Sequence, residues 1–349
     1  MSPARNVSDV EEPDRVEGRP HPRETYDLIG QDEALLRVSR SIRGRRPPQA
    51  LMISGPPGIG KATLAYRIAR YLLRHGANAE GPADLSVAPN DVVSRQIEAQ
   101  SHPGLLVLKR PINEQTGKLR TVIGVDEIRR LGSFFGLTSV SGGWRVAIVD
   151  AADEMNDNAA NALLKILEEP PPRGMLILVA HAPGRQLPTI RSRCQRLDLK
   201  PLDDGVLLGA LRTFLPDAGD DDRAALAHLS EGSLGLALKL ADEDRLALAR
   251  SAEALLEARQ PDIKAILALA ERVARAQDGL QHFGEFQAQA LSRRIRSRAA
   301  AGEGNDRAVA LWERAAALYE RAAGIHMEPR QTVLSSSIAI AAAKRRGVI

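Results

Sequence analysis

A short glycine-rich run constrains the fold of this chain more than any other feature. The run reads Gly-Pro-Pro-Gly-Ile-Gly-Lys-Ala, and its Gly55, Gly58, Gly60 and Lys61 fit the pattern Gly-x-x-x-x-Gly-Lys-[Ser/Thr]. Such a turn lets successive backbone N–H groups surround phosphate oxygens at the positive end of the following helix. Because an apolar run precedes it and an amphipathic pattern follows, we predict a phosphate loop at 55–62. The alternative is a glycine turn with a solvated lysine.

Short apolar runs alternate with helical patterns through the N-terminal part of the chain. One helix is predicted to begin near Leu28, a second at Lys61, and a third at an Asn156 cap, ending before Pro170. Alternating strands and helices are typical of a parallel sheet that is covered on both faces. We therefore predict an α/β P-loop fold. Its strands are expected at 50–54, 105–108, 145–150, 175–180 and 195–199.

Changes in composition divide the chain into four expected segments. Residues 1–22 are rich in Pro, Glu, Asp and Arg, which predicts a disordered leader with no part in the core. Residues 23–200 hold the P-loop domain. Residues 201–246 predict a small helical bundle, and 247–349, rich in Ala, Arg and Leu, a second helical domain. The whole chain is thus predicted as α/β plus all-α.

Composition excludes several classes of protein. The one cysteine, Cys194, can form neither an internal disulfide nor a cysteine-rich zinc site. No apolar stretch approaches the roughly 20 residues that span a bilayer, so we expect a soluble, cytoplasmic protein without a membrane partner. The net charge of +4 is compatible with a surface that faces DNA, but interspersed acids and bases favour an ordinary mixed surface.

The neighbourhood of the phosphate loop departs from that of a hydrolysing enzyme. Ala62 stands where a hydroxyl would ligate Mg²⁺, and Thr63 is one residue late, which on a helix is a rotation of about 100°. The run 145–150 ends in Asp150, placed like the carboxylate of a Walker B strand, although Asp150 could equally cap a helix. The next residue is Ala151, where active enzymes usually have glutamate. Weak or metal-independent binding of ATP or ADP remains conceivable.

Further motifs resemble the clamp-loader branch of the AAA+ proteins. They are Ser-His-Pro-Gly-Leu at 101–105, Val-Asp-Glu-Ile-Arg at 125–129, the run at 157–169 around Asn-Ala-Leu-Leu-Lys-Ile-Leu-Glu-Glu-Pro, and Ile-Arg-Ser-Arg-Cys at 190–194. The resemblance covers about Leu28 to Leu240. It implies a AAA+ domain at 23–200, a lid at 201–246 and an oligomerisation collar at 247–349. It also implies assembly with other clamp-loader subunits in a ring that meets the sliding clamp and primer-template DNA.

Within that branch, the chain resembles the subunit that does not hydrolyse ATP. Gly235 follows a Gly-Ser-hydrophobic trio, where active members usually have the sensor-2 arginine, and the sensor-1 region near Ala180 and His181 lacks the usual small hydroxyl residues. The zinc module of many bacterial relatives is not carried over, because 77–100 contain no cysteine. His102 is expected to shape a turn.

The resemblance assigns a different role to Arg193, that of an arginine finger that acts in trans on the ATP of an adjacent subunit. A guanidinium there stabilises charge on the transferring phosphoryl group. The alternative is a surface arginine that pairs with a nearby acid. Cys194, beside it, is expected to be a small buried apolar residue rather than a reactive thiol.

Three functions compete. The first is a scaffold subunit that requires no cofactor, has no ATPase of its own and works within the polymerase assembly. The second is an active AAA+ ATPase, either a clamp-loader motor or a DNA-remodelling relative, in which Thr63 and either Asp153 or Glu154 replace the missing groups. The third is direct DNA binding, which would be weak and salt-dependent because no recognition helix or aromatic stacking pattern is present.

Overall fold

The computed structural model describes residues 15–16, 18–44, 46–78, 80–113, 119–136, 143–182, 184, 187–258, 263–324 and 327–349. The described residues form two compact units. The first unit extends to Pro216 and includes Ser230–Leu236, and the second comprises Asp217–Leu229 and Ala237–Ile349. Most of the predicted leader, 1–14 and residue 17, lies outside the described residues.

A parallel sheet of five strands forms the centre of the first unit, in the order β2-β3-β4-β1-β5. The strands are β1 (Ala50–Ser54), β2 (Leu105–Leu108), β3 (Arg145–Val149), β4 (Gly174–Ala180) and β5 (Gln195–Asp198). This arrangement confirms the predicted α/β P-loop fold. Almost every residue of β1, β3 and β4 is buried, as expected for strands with helices on both faces.

The helices are numbered along the chain. In the first unit they are α1 (Asp32–Ile42), α2 (Lys61–His75), α3 (Val92–Glu98), α4 (Val125–Gly136), α5 (Asp157–Glu168), α6 (Pro188–Arg191) and α7 (Asp204–Phe214). The remaining helices are α8 (Asp220–Ser230), α9 (Leu234–Leu240), α10 (Glu243–Glu257), α11 (Ile263–Arg275), α12 (Gly279–Ala300), α13 (Asp306–Gly324) and α14 (Pro329–Arg345). In the described ranges, 3₁₀ turns lie at Pro22–Glu24 and Ala152–Glu154.

Alternation along the strands separates two apolar layers. Leu51 and Ile53 of β1 lie in one cluster with residues of α1, α2 and α3. Ala50 and Met52 lie in the other, with residues of α4 and α5. Successive side chains of a strand point to opposite faces, so a strand that is apolar throughout requires helices on both sides.

The ends of the helices follow local chemistry. The Asn156 Oδ1 accepts a hydrogen bond from the Ala159 N–H at 2.9 Å, which confirms the predicted cap of α5. The helix predicted from Leu28 instead begins at Asp32. Gly30 has φ of 66°, a left-handed conformation that interrupts a right-handed helix.

The end of the predicted leader is packed, which corrects the expectation that 1–22 take no part in the core. His21 is 2% exposed, and its ring lies edge-on to Tyr66 of α2 at 5.9 Å between centroids. The fully buried Arg70 guanidinium lies 4.3 Å from the centroid of the Tyr26 ring, a cation–π contact. The chain before α1 is therefore held on α2.

The second unit is helical in its described part. Its apolar cluster includes Leu255 of α10, Leu291 of α12, Leu311 of α13 and Ile340 of α14. The Tyr319 and Ser336 hydroxyls form a buried hydrogen bond of 2.6 Å between α13 and α14. None of the helices in the described ranges is long and apolar enough to cross a membrane.

Candidate functional site

The phosphate loop connects the carboxyl end of β1 to the first turn of α2. Gly55, Gly58 and Gly60 have φ of 144°, 76° and 97°, backbone conformations that residues with side chains rarely adopt, so the conformation of the turn explains all three glycines. Thr63 is half-buried in the first turn of α2, next to Ala62. Gly55, Gly58, Gly60, Lys61 and Thr63 therefore lie in and just after one turn at the start of α2, and their role in nucleotide binding stays a prediction.

The ammonium group of the loop is directed at the loop itself. Lys61 is 3% exposed, and its Nζ donates hydrogen bonds to the carbonyl oxygens of Gly55 at 2.7 Å and Pro56 at 2.5 Å. Hydrogen bonds from a charged donor are about twice as strong as neutral ones. In this conformation the Lys61 ammonium therefore stabilises the turn, and its N–H groups donate to the loop carbonyls rather than to phosphate oxygens.

The segment Ser230–Leu236 belongs to the same compact unit and lies against the loop. The Ser233 Oγ donates a hydrogen bond to the Pro57 carbonyl at 2.8 Å, and the Gly235 N–H donates one to the Gly58 carbonyl at 2.8 Å. A Cβ built on Gly235 would lie 2.7 Å from the Gly58 Cα, closer than real side chains approach. This contact therefore requires a residue without a side chain at position 235.

The sequence places Ser233 and Gly235 in a segment that resembles sensor 2 but does not predict their hydrogen bonds to the loop. Ser233 and its partner Pro57 are 176 residues apart in the chain. No periodicity or local motif connects two such segments. The resemblance of the segment to sensor 2 was the one signal that placed it near the nucleotide loop.

The carboxylates that follow β3 have different surroundings. Asp150 is 4% exposed at the end of the strand. Ala151, with φ of 58°, occupies the capping position of the 3₁₀ turn, so the interpretation of Asp150 as a helix cap is wrong. The Asp153 carboxylate accepts hydrogen bonds from the backbone N–H groups of His181 at 2.9 Å and Ala182 at 3.2 Å.

Glu154 has a partner of its own. Its carboxylate pairs with the Arg110 guanidinium at 2.7 Å. Asp153 thus fixes the turn after β4, and Glu154 is engaged by the segment after β2. Neither carboxylate is held for the activation of a water molecule at the phosphate loop in this conformation.

Arg193 lies near the amino ends of the strands, whereas the phosphate loop lies at their carboxyl ends. It precedes β5, whose Gln195 pairs with Leu51 near the amino end of β1, whereas the loop follows the carboxyl end of β1. At about 3.3 Å per residue, four residues of strand separate these levels by about 13 Å. Arg193 is therefore placed away from the nucleotide loop of its own chain.

The Arg193 guanidinium is half-exposed and bound within the chain. Its Nη2 donates to the Glu168 carboxylate at 2.9 Å, and its Nη1 donates to the Thr189 carbonyl at 3.1 Å. The side chains of Arg193 and Glu168 are 37% and 52% exposed, so the pair is weak, at about 0 to 1 kcal/mol. The pair with Glu168 fits the interpretation of Arg193 as a surface arginine bound to an acid. The exposure of its guanidinium fits the interpretation as an arginine finger.

Two further predictions concern Cys194 and His102. Cys194 is 8% exposed, and burial raises the pKa of its thiol to about 12, so the thiol stays protonated at neutral pH. The His102 Nδ1 accepts a hydrogen bond from the Gly104 N–H at 3.0 Å. Burial lowers the pKa of His102, which favours the neutral ring that this turn needs.

The fold and the loop define the class of the protein: it has the α/β P-loop AAA+ fold, followed by a helical C-terminal part. The profile of the family described as DNA polymerase III, delta subunit, matches residues 30–203. The chain is similar to the delta-prime subunit of Pseudomonas aeruginosa, with 36% identity over 184 residues, 53% of this chain and 53% of that protein. The chain belongs to the delta-prime family of DNA polymerase III subunits.

Two further relatives extend the comparison. The delta-prime subunit of Escherichia coli is 33% identical over 204 residues, 58% of each chain. The tau subunit of DNA polymerase III from Bacillus subtilis is 26% identical over 221 residues, 63% of this chain and 36% of that protein. The chain thus matches between about half and three fifths of the length of these delta-prime relatives.

Proposed function

We propose that this chain is a non-hydrolysing subunit of a bacterial clamp loader, which scaffolds the ring and supplies Arg193 to the ATP site of a neighbouring subunit. The observation that carries the proposal is the position of Arg193, half-exposed at the edge of the sheet opposite its own phosphate loop. A guanidinium placed there acts on a phosphate only when the phosphate belongs to another chain.

The residues at the loop do not fit a Mg²⁺-bound triphosphate in this conformation. The Lys61 ammonium is bonded to two loop carbonyls, and Ser233 and Gly235 bond to two more. Ala62 has no hydroxyl for a metal ion, and Ala151 has no carboxylate for water. We therefore assign no hydrolytic step to this loop and no required cofactor to the chain.

The contribution of Arg193 would be electrostatic. The guanidinium presents planar, paired N–H donors that match phosphoryl oxygens, and it stays charged throughout the physiological range. Its exposed pair with Glu168 costs little to break, because such pairs are worth about 0 to 1 kcal/mol. The negative charge that develops on a transferring phosphoryl group would therefore compete successfully with the Glu168 carboxylate for the Arg193 guanidinium.

The proposed partners follow from the same assignment. The chain would assemble with the other clamp-loader subunits and meet the sliding clamp and primer-template DNA through that assembly. The competing function, an active AAA+ ATPase, requires Asp153 or Glu154 as a substitute base. Their hydrogen bonds to His181 and Ala182 and the ion pair with Arg110 favour the scaffold.

The decisive experiment isolates the neighbouring ATP site. A clamp loader is reconstituted in which only the motor subunit beside this chain keeps its phosphate-loop lysine, and single-turnover ATP hydrolysis is measured with clamp and primed DNA. We expect Arg193→Ala to slow hydrolysis by about 10³-fold or more, the usual effect of a missing arginine finger. Arg193→Lys should restore little, because lysine lacks the planar fork.

Two controls separate this effect from faulty assembly. Arg196→Ala removes a comparably exposed arginine, 44% accessible, and should leave the rate unchanged. Size-exclusion chromatography should give the same complex for all variants. An unchanged rate for Arg193→Ala would contradict the finger, and ATP turnover by the purified chain alone would contradict the scaffold assignment.

A further inference from the structure

The second unit contains a cleft that the proposed function does not use. The cleft has a volume of about 190 Å³ and lies between the first half of α10 and the end of α11. Its lining is partly polar and partly apolar, formed by Asp244, Ala247, Leu248, Arg272, Arg275 and Ala276. Water occupies about 30 Å³ per molecule in the liquid. The cleft therefore has room for a carboxylate or phosphate with a few flanking carbon atoms.

One of the arginines is held in position by a short chain of hydrogen bonds. The Arg272 Nη2 donates to the Ser251 Oγ at 2.5 Å, and the Ser251 Oγ donates to the Ala247 carbonyl at 2.6 Å. A guanidinium has five N–H donors in a fixed plane. The bond to Ser251 thus fixes the plane of the Arg272 guanidinium and uses one of its N–H donors. The remaining N–H donors point in other directions, so the group is preorganised to bind an oxyanion.

The charges of the lining favour a single anionic group. Arg272 and Arg275 contribute two positive charges to the lining and Asp244 one negative charge, so the lining residues themselves carry a net charge of +1. Arg275 has a second acid nearby, with Glu271 at 3.4 Å, but both side chains are exposed, at 77% and 51%, so this pair is weak. Asp244 would repel a continuous phosphate backbone, whereas one carboxylate placed against the arginines avoids it.

The floor of the cleft indicates what flanks the anionic group. Leu248 is 3% exposed, and Ala247 and Ala276 add further small apolar side chains. From this combination we propose that the cleft binds a peptide carboxylate with an apolar flank. The carboxylate is either an acidic side chain or the C-terminal group of a protein partner. The Arg272 guanidinium binds its oxygens, and the floor at Leu248 contacts the adjacent apolar side chain.

The test uses the full chain and small probes of defined chemistry. N-acetyl-leucine supplies a carboxylate with an apolar flank, and N-acetyl-leucinamide is its neutral counterpart. Binding is followed by the ¹H–¹⁵N signals of the arginine Nε–H groups. We expect N-acetyl-leucine to shift the Arg272 signal in a saturable manner and the amide to leave it unchanged. A peptide with an internal Asp-Leu pair and an amidated end then distinguishes a side-chain carboxylate from a C-terminal one.

Two variants make the proposal falsifiable. Arg272→Gln should weaken binding of N-acetyl-leucine by about 10-fold, the loss expected for hydrogen bonds to a charged group. Ser251→Ala removes the group that positions Arg272 and should weaken binding several-fold without removing a charge. Arg314→Gln, on α13, is the matched control and should bind normally. Equal or tighter binding of inorganic phosphate, or equal binding by Arg272→Gln, would overturn the proposal.

Discussion

Single buried residues determine part of the stability of the second unit, and Gln287 is the clearest case. It is fully buried on α12, and among the described residues neither its amide nitrogen nor its amide oxygen has a hydrogen-bond partner. A buried polar group without a partner costs about 1 to 3 kcal/mol. Gln287→Met keeps the length of the side chain and removes both polar atoms, so we expect the free energy of unfolding to rise by about 1 to 3 kcal/mol.

Urea unfolding of the full chain measures this effect. A Trp144→Phe background leaves Trp312 of α13 as the fluorophore, so the signal reports on the second unit. Gln281→Met is the matched control on the same helix, because its exposed amide bonds the exposed Glu285 at 3.1 Å, and its change should stay within about 0.5 kcal/mol. A loss of stability in Gln287→Met would mean that the buried amide is bonded in solution.

The cap of α5 was predictable from local chemistry alone. Asn156 caps its helix because an Asx side chain followed by an apolar helical pattern is sufficient to specify a helix start. The sequence around Asp150 fits two roles equally, because a carboxylate after a strand is compatible with both a Walker B strand and a helix cap. The conformation of Ala151 decided against the cap, and no sequence pattern predicts a left-handed alanine.

At the level of elements, the Lys61 ammonium stabilises the phosphate loop by hydrogen bonds to loop carbonyls. The two carbonyls that Lys61 contacts, those of Gly55 and Pro56, would lose a charged donor in Lys61→Met. Hydrogen bonds to charged groups contribute about 1.5 to 3 kcal/mol each before the cost of desolvating the ammonium is subtracted. We therefore expect Lys61→Met to lower the free energy of unfolding of the first unit by about 2 kcal/mol.

The measurement again uses fluorescence, with Trp144 as the reporter in a Trp312→Phe background. Lys165→Met is the matched control, because Lys165 is exposed on α5, and it should change stability by less than about 0.5 kcal/mol. If the two variants are equally stable, Lys61 does not hold the loop. A lysine free to leave the loop would then be available for a phosphate, and the closed conformation would no longer argue against nucleotide binding.

The strands and most helices were predictable because burial on both faces gives continuous apolar runs, and helical faces repeat every three to four residues. The first helix was placed too early because Leu28 and Ile29 fit an apolar helical face, whereas Gly30 breaks the helix through its backbone. The packed end of the leader was missed because its polar residues have partners elsewhere. His21 lies edge-on to Tyr66 of α2, and composition does not reveal such pairing.

At the scale of the whole molecule, contacts between distant segments are what sequence patterns leave out. The bonds of Ser233 and Gly235 to the loop, and the pair of Arg193 with Glu168, join elements that no local period relates. Their presence depends on the complete topology of the first unit. The consequence for function concerns Lys61, whose donors bind either the loop carbonyls or a nucleotide phosphate.

Thermal unfolding with nucleotide tests this consequence directly. A ligand at 100 times its Kd stabilises the folded state by about 2.7 kcal/mol. For a domain of about 150 to 250 residues, each kcal/mol raises Tm by about 2 to 4 °C. We expect about 1 mM ATP or ADP, with Mg²⁺ or with EDTA, to shift Tm by less than about 1 °C, because a nucleotide would have to draw the Lys61 ammonium away from the Gly55 and Pro56 carbonyls.

The pattern of any shift separates the two ways in which this expectation can fail. An equal shift with Mg²⁺ and with EDTA would indicate metal-independent binding, which opens the loop but leaves Ala62 without a role in metal ligation. A shift that requires Mg²⁺ would contradict the scaffold assignment as well, because a working site gains affinity from its metal. A motor subunit measured in parallel provides the positive control. Without any shift, the phosphate loop acts in this chain as a structural turn that Lys61 and Gly235 hold closed.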